Sequence, residues 1–409
     1  MLRTVQQALL PQVEDAIGLL PMRADVHIGE DDLKGLIPCH LPDRLTRAFV
    51  KLTGRSGILR QAALRRRSFH FLPGGQALNV DSVVDISGYR IGDPWYKRPT
   101  PKGGLGTRVR AAISKPALLD LPGLLEALRA PVFYLPQAWG PFEIPQVRSV
   151  AEKVLRNASK VYARDVASYE WLRELATFSE EKVAFGSDIA FQFEGASPEV
   201  GRSLLSESGV VFDASPLVGI VPNMRVYERS PNEGLDNPYI TCLVKLVDYL
   251  GQEGHQVILM PHEIRPEQTN SKMRDDRYLC RVIAARTSNG GRVYTAVGNY
   301  SAAQLKSMIG HVDLLVASRF HSIVAALSLR CPVVAIAWAH KYAELLGTVG
   351  LGDFAVSHQA LEPDALVEIC KSAWGRRDHS RMLLEKHVPD HEASSANVLS
   401  EVASMINEA

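Results

Sequence analysis

Three cationic side chains stand where buried stretches of this chain give way to helices. Residues 313–351 read DLLVASRFHSIVAALSLRCPVVAIAWAHKYAELLGTVGL. An apolar strand runs into Ser318, Arg319, Phe320 and His321. A helix follows, then a second apolar strand, then Lys341. Helix N-termini carry unpaired N–H groups and the positive end of the helix dipole, so they attract anions. An arginine there can fork onto a phosphate or a carboxylate. A histidine two residues on can exchange protons near neutral pH, and a lysine adds a point charge. The local sequence leaves simpler uses open: His321 as a capping or packed ring, Lys341 as a surface cation.

Similar corners recur upstream. Gln137 and Gly140 follow the apolar residues 132–135, Arg164 and Asp165 follow 160–163, and Asp188 follows 183–185. Later, Asn223 and Arg225 follow 218–221, and His262 with Glu263 follows 256–260. Asp165 stands ahead of a helix and fits plain N-capping as well as ligand binding. His262 and Glu263 fit an acid/base pair or a polar loop. Residues 87–89 (Ser-Gly-Tyr) close a strand over 80–86, and the glycines of 103–106 make either an ordinary loop or a phosphate cradle. No HExxH, GxSxG or GxxxxGK[ST] stretch occurs, which argues against metallopeptidase, α/β-hydrolase and P-loop chemistry. The five cysteines are scattered, with no CxxC pair, so neither a metal centre nor a disulfide framework is expected.

The elements that must position these corners alternate strand with helix. A helix over residues 4–20 opens the chain, a strand follows at 24–28, and a basic helix over 43–69 carries Arg65, Arg66 and Arg67 together. That run reads as a solvated face or as a contact for an acidic surface, including a peripheral membrane contact. Further helices are expected over 118–128, 149–158 and from 168. Residues 194–216 lose the rhythm, and the second half restarts it with helices over 239–251, 275–286 and 301–308. Such alternation predicts parallel sheets covered by helices. The expected domains are an N-terminal Rossmann-like domain over 1–200, starting without its usual first strand, a C-terminal Rossmann-like domain over 215–375, and a helical tail over 376–409 that packs back on the first. The fold class expected is α/β, two Rossmann-like domains whose parallel sheets face a cleft, a GT-B-like arrangement.

Composition narrows the setting. A chain of 409 residues suggests two domains, and a net charge of +1 provides no global field for nucleic acid. The apolar run after His321 is broken by Arg330 and Pro332, so it is not a membrane span. The N-terminus lacks the pattern of a signal peptide. A cytoplasmic protein is expected; nothing in the sequence sets an oligomeric state.

The ordered set Pro136-Gln137-x-x-Gly140-Pro141-Phe142, Ala163-Arg164-Asp165-x-x-Ser168, Asp188, Ser318-Arg319-Phe320-His321, then Pro332 through Ile336 with Lys341 resembles the polysaccharide pyruvyl transferase family over roughly residues 80–352. The resemblance implies transfer of pyruvate from phosphoenolpyruvate to a sugar or lipid-linked oligosaccharide, giving a ketal and phosphate with no cofactor or metal. On that reading His321 is the general acid and Arg319 holds phosphate or carboxylate. Lys341 and Arg164 add charge, and Asp165, Asp188, Gln137, Arg225 and His262 bind substrate. Two alternatives stay open at this stage: a GT-B glycosyltransferase using a nucleotide sugar, and a carbohydrate-binding homologue without catalysis.

Overall fold

The computed structural model describes residues 18–22, 36–40, 69–70, 77–78, 83–85, 91–93 and 131–408, apart from 214, 232–235, 266–274 and 289–291. The chain divides into two compact units, Met1–Ile189 with Ser394–Ala409, and Ala190–Ala393.

In the first unit β1 (Gly18–Met22) pairs in parallel with β2 (Leu36–His40), and β3 (Phe69–His70) pairs antiparallel with β4 (Ala77–Leu78). The main sheet is parallel, in the order β5 (Val83–Asp85), β6 (Val132–Gln137), β7 (Lys160–Ala163), β8 (Val183–Phe185). Side chains alternate across a strand, and β6 shows why its residues 132–135 are all apolar. Val132 and Tyr134 enter the cluster with Val147, Ala151 and Val154 of the helix Pro145–Asn157. Phe133 and Leu135 enter another with Val398, Leu399, Val402 and Ala403, from the end of the helix Arg377–Glu408. Burial on both faces is what a parallel sheet covered by helices demands.

The second unit holds a six-stranded parallel sheet built from β9 (Leu217–Val221), β10 (Gln256–Leu259), β11 (Val293–Thr295), β12 (Leu314–Ala317), β13 (Val333–Ala337) and β14 (Ala355–Ser357). Its spatial order is β11-β10-β9-β12-β13-β14, which within the unit is 3-2-1-4-5-6, the Rossmann order. The four strands β9, β10, β12 and β13 are almost wholly buried, as their predominantly apolar sequences require. The order reverses between β9 and β12. In open α/β sheets, ligands bind outside the carboxyl ends of the strands at such a switch point.

Several expectations change. Residues 18–20, expected to close a helix, are strand, because Gly18 to Met22 pair with a second extended segment. Residues 194–216, expected to be irregular, contain the helix Pro198–Glu207, with proline in its first turn. The short strand β14 was hidden among mixed residues. The opening helix before residue 18, the strand at 24–28, the basic run at 65–67, the corner at 87–89, the glycine loop at 103–106 and the helix over 118–128 lie outside the described residues. Among the described residues no helix is long and apolar enough to cross a membrane.

Candidate active site

The switch point of the second unit is tied across by side chains. Asn223 follows β9 and Ser318 follows β12. The Asn223 side-chain amide donates to the Ser318 carbonyl at 2.7 Å, and its oxygen accepts the Arg225 N–H at 2.8 Å, capping the short helix Met224–Tyr227. The Tyr239 hydroxyl accepts the Asn223 N–H at 3.0 Å and shares a hydrogen bond of 2.7 Å with the Ser318 hydroxyl. Tyr342 donates to the Ser318 carbonyl at 3.0 Å. Burial pushes both phenols well above their ordinary range, so they work as neutral hydrogen-bonding groups.

Beneath this lattice sits Asp276, fully buried and one residue ahead of the helix Arg277–Arg286. Its carboxylate accepts the Met224 N–H at 3.0 Å, the His262 N–H at 3.2 Å and the Glu263 N–H at 2.7 Å. It also accepts from Arg319, Nε at 2.9 Å and Nη2 at 2.5 Å. Burial raises the carboxyl above its ordinary value, against the pull of Arg319 and the backbone donors. The N–H of Asp276 returns a bond to the Glu263 carbonyl at 2.9 Å.

Arg319 was expected to fork onto a ligand. Instead, three of its N–H groups go to protein carboxylates: Nε and Nη2 to Asp276, and Nη1 to Glu263 Oε2 at 2.9 Å. Burial alone would lower its pKa, but the two carboxylates turn the shift upward. Glu263 also pairs with Arg265. Burial opposes its charge, yet Arg319, Arg265 and Arg225 hold its carboxyl below the ordinary value. The His262–Glu263 corner therefore divides its labour, with Glu263 serving Arg319 and Arg265.

His262 turns to the other side. One of its ring nitrogens, Nδ1, lies 2.8 Å from the hydroxyl of Ser322, on the helix Phe320–Ser328. Its ring stacks on that of His321. Burial, then the charges of His321 and Arg319, push His262 well below the usual histidine value. His321 is exposed on the first turn of the same helix. Lys341 opens the helix after β13, with Nζ 4.6 Å from the centroid of Phe320 and 5.5 Å from that of Trp338. The Phe320 ring also makes an edge contact with His321 at 5.9 Å, so one aromatic ring is shared by Lys341 and His321. Arg225 lies on the short helix after β9, 3.9 Å from Glu228.

The first unit keeps its own corner. Arg164 and Asp188, expected to meet ligands separately, form a buried ion pair, Nη1 to Oδ2 at 2.5 Å. Asp165 caps the helix Val166–Arg173 through the Ser168 N–H at 2.8 Å. Gln137 is buried at the end of β6, its carbonyl accepting the Arg164 N–H at 3.1 Å. Trp139 is pinned by the Ser168 hydroxyl at 2.8 Å and by the Tyr162 carbonyl at 3.1 Å.

A profile of the polysaccharide pyruvyl transferase family matches residues 108–340, more than half of the chain and all of the site residues just described except Lys341 and Tyr342. The chain belongs to the polysaccharide pyruvyl transferase family. It is 20% identical over 240 residues to the amylovoran biosynthesis protein AmsJ of Erwinia amylovora. That match takes in 58% of this chain and 57% of AmsJ. In fold it is similar to the S. aureus MnaA–UDP co-structure, with a TM-score of 0.55 and 11% identity, over 100% of this chain and 94% of that one. Two helix-flanked parallel sheets in one chain make this family member an α/β protein of the GT-B-like, two-Rossmann type.

The motifs of this pyruvyl transferase family member pointed to Arg319 and His321 but not to what surrounds them. Asp276 falls inside the helix expected over 275–286, where an acidic residue reads as part of a solvated face. Its side chain makes no cap hydrogen bond. The doublet Asp275-Asp276 was the available signal. Asp275 binds the Arg277 N–H at 3.0 Å, leaving Asp276 free to face inward. Ser322, Tyr239 and Tyr342 carry no sequence signal, since each sits among apolar helix residues and acquires its partner only through the sheet order.

Proposed function

We propose that this chain transfers the pyruvyl group of phosphoenolpyruvate to two hydroxyls of a sugar unit, in a polysaccharide or its lipid-linked precursor, forming a ketal and releasing phosphate. The observation that carries the reading is the stacked His262–His321 pair at a Rossmann switch point, in a chain of this family. His262 is held as the neutral ring, so His321 is the group that gives a proton. That proton goes to the methylene carbon of the enol, which becomes a methyl group and leaves the adjacent carbon electrophilic. A sugar hydroxyl adds to that carbon, the bond to the phosphate oxygen breaks, and the second hydroxyl closes the ketal. Of the two hydroxyl protons, one restores the proton His321 gave to the methylene carbon and the other leaves on the departing phosphate. The phosphate and carboxylate are met by Lys341 and by the N–H groups that open the helix Phe320–Ser328. Arg319, closed by Asp276 and Glu263, fixes the corner from behind. Gln137, Arg164, Asp165, Asp188 and Arg225 shape the two sheet edges. The reading places the reaction among the steps of cell-envelope or exopolysaccharide synthesis.

The decisive measurement is calorimetric titration with phosphoenolpyruvate and, separately, with a nucleotide sugar, followed by phosphate release with a panel of sugar acceptors. Binding of phosphoenolpyruvate and loss of ~100-fold or more in turnover for His321→Ala are expected. Saturable binding of the nucleotide sugar with none of phosphoenolpyruvate would replace this reading with glycosyl transfer.

A further inference from the structure

One carboxylate joins the ends of three neighbouring strands. Asp276 accepts from Met224 beyond β9, from His262 and Glu263 beyond β10, and from Arg319 beyond β12. These three strands straddle the reversal of the sheet. Five donors converge on a side chain with no exposed surface. A carboxylate suits this place because it accepts so many bonds without donating any. The bonds to the His262 and Glu263 N–H groups fix the backbone from which the His262 ring projects. The two bonds to Arg319 fix the N-cap of the helix that carries His321 and Ser322. Both rings of the stacked pair are thus placed by the same carboxylate, each from its own strand end.

We propose that Asp276 is the positioning residue of this corner, setting the stacking of His262 on His321 and with it the anion-binding start of the helix Phe320–Ser328. The assignment to phosphoenolpyruvate rests on the function proposed above; the placement of the histidines does not. Asp276 touches neither ring and supplies no proton. Its loss acts through the backbone of residues 262–263 and through Arg319. Asparagine is a severe change here although it is nearly the same size. Its amide nitrogen turns donors toward groups that are themselves donors, and Arg319 keeps at most one of its two bonds to this position beside the one to Glu263.

The test uses the full chain with 15N-labelled histidine, comparing wild type, Asp276→Asn, Asp276→Glu and Cys280→Ala. Cys280 is buried one turn further along the same helix, so its truncation loosens the helix without touching the carboxylate. The His262 ring signals are assigned by their loss in His262→Gln, and phosphoenolpyruvate binding is measured by calorimetry. For Asp276→Asn, the His262 ring nitrogens should shift and the Kd should rise tenfold or more. Asp276→Glu should recover part of both effects, and Cys280→Ala should show neither at an equal or lower melting temperature. Where Asp276→Asn does not fold, Asp276→Glu against Cys280→Ala carries the comparison on the same two readouts. Unmoved His262 signals with a Kd within twofold of wild type would overturn the proposal. A wild-type protein that fails to bind phosphoenolpyruvate sinks the function proposed above, and the ring signals then decide the role of Asp276 by themselves.

Discussion

The imidazoles of His262 and His321 lie 6.1 Å apart between centroids, with planes 13° from parallel, and they come from different strand ends. Two imidazolium charges at that separation would repel by about 3 kcal/mol at an effective dielectric near 20. The pair therefore takes one proton before it takes two. Burial and the nearby Arg319 decide against His262, which leaves the exposed ring of His321 as the one that meets solvent.

This asymmetry gives a pH dependence of stability. The folded-state pKa of His262 is depressed, so the unfolded chain binds the proton more readily. Stability is fully present above the unfolded value near 6.5 and is lost as pH falls from there toward the folded value. Each histidine held neutral in this way contributes a slope of up to about 1.4 kcal/mol per pH unit. His255, His358 and His391 are depressed in the same direction by burial, so wild type alone cannot isolate one ring. Denaturant unfolding of His262→Gln between pH 7 and 5 should show a slope shallower by about one proton.

Arg164 and Asp188 test the first unit. Their side chains are 5% and 1% exposed, so removing one leaves a charge in a poorly solvated place. Asp188→Ala should lose about 3–5 kcal/mol of unfolding free energy. The double replacement Arg164→Met with Asp188→Leu should recover most of that, because a well-packed apolar pair is often no worse than a buried ion pair. An Asp188→Ala protein as stable as wild type would show that the pair contributes little to the fold.

Gly140 has a φ of +66°, and a Cβ there would come 2.7 Å from Trp171 Cε3. Left-handed backbone costs a side chain roughly 1–2 kcal/mol, and overpacking adds about 1–3 kcal/mol. Gly140→Ala should therefore lower stability by ~2–5 kcal/mol in denaturant unfolding. Gly254→Ala provides the contrast. Its φ of +83° carries the same backbone cost, but nothing lies within 4 Å of the new Cβ, so the loss should stay near the backbone value.

How far these features could be read in advance follows from their physical origin. The runs LLVA and VVAIA are buried on both faces of a parallel sheet, and short apolar runs of this kind bounded by polar corners make β12 and β13 plain in sequence. The order of strands is not, because pairing is decided by long-range contacts that leave no local pattern. Arg319 and His321 were visible as types at a strand end. That Arg319 faces two carboxylates depends on Asp276, 43 residues away, and on Glu263, 56 residues away. Asp165 shows the converse: capping is a local event, and both of its readings were available from four residues.

Arg319 itself gives the sharpest discrimination between a ligand-binding and a structural arginine. A guanidinium reaches Asp276 in two places and Glu263 in a third, whereas an ammonium is a point donor without that fork. Arg319→Lys should therefore lose one or two charge-assisted bonds at about 1.5–3 kcal/mol each, lowering the unfolding free energy by ~1.5–6 kcal/mol in total. Were the side chain held mainly for an anion, the substitution would leave the unliganded protein as stable as wild type and weaken only phosphoenolpyruvate binding. Both quantities come from one preparation, by denaturant unfolding without ligand and by calorimetry with it. The carboxylates on both sides of Arg319 make the stability loss the larger effect.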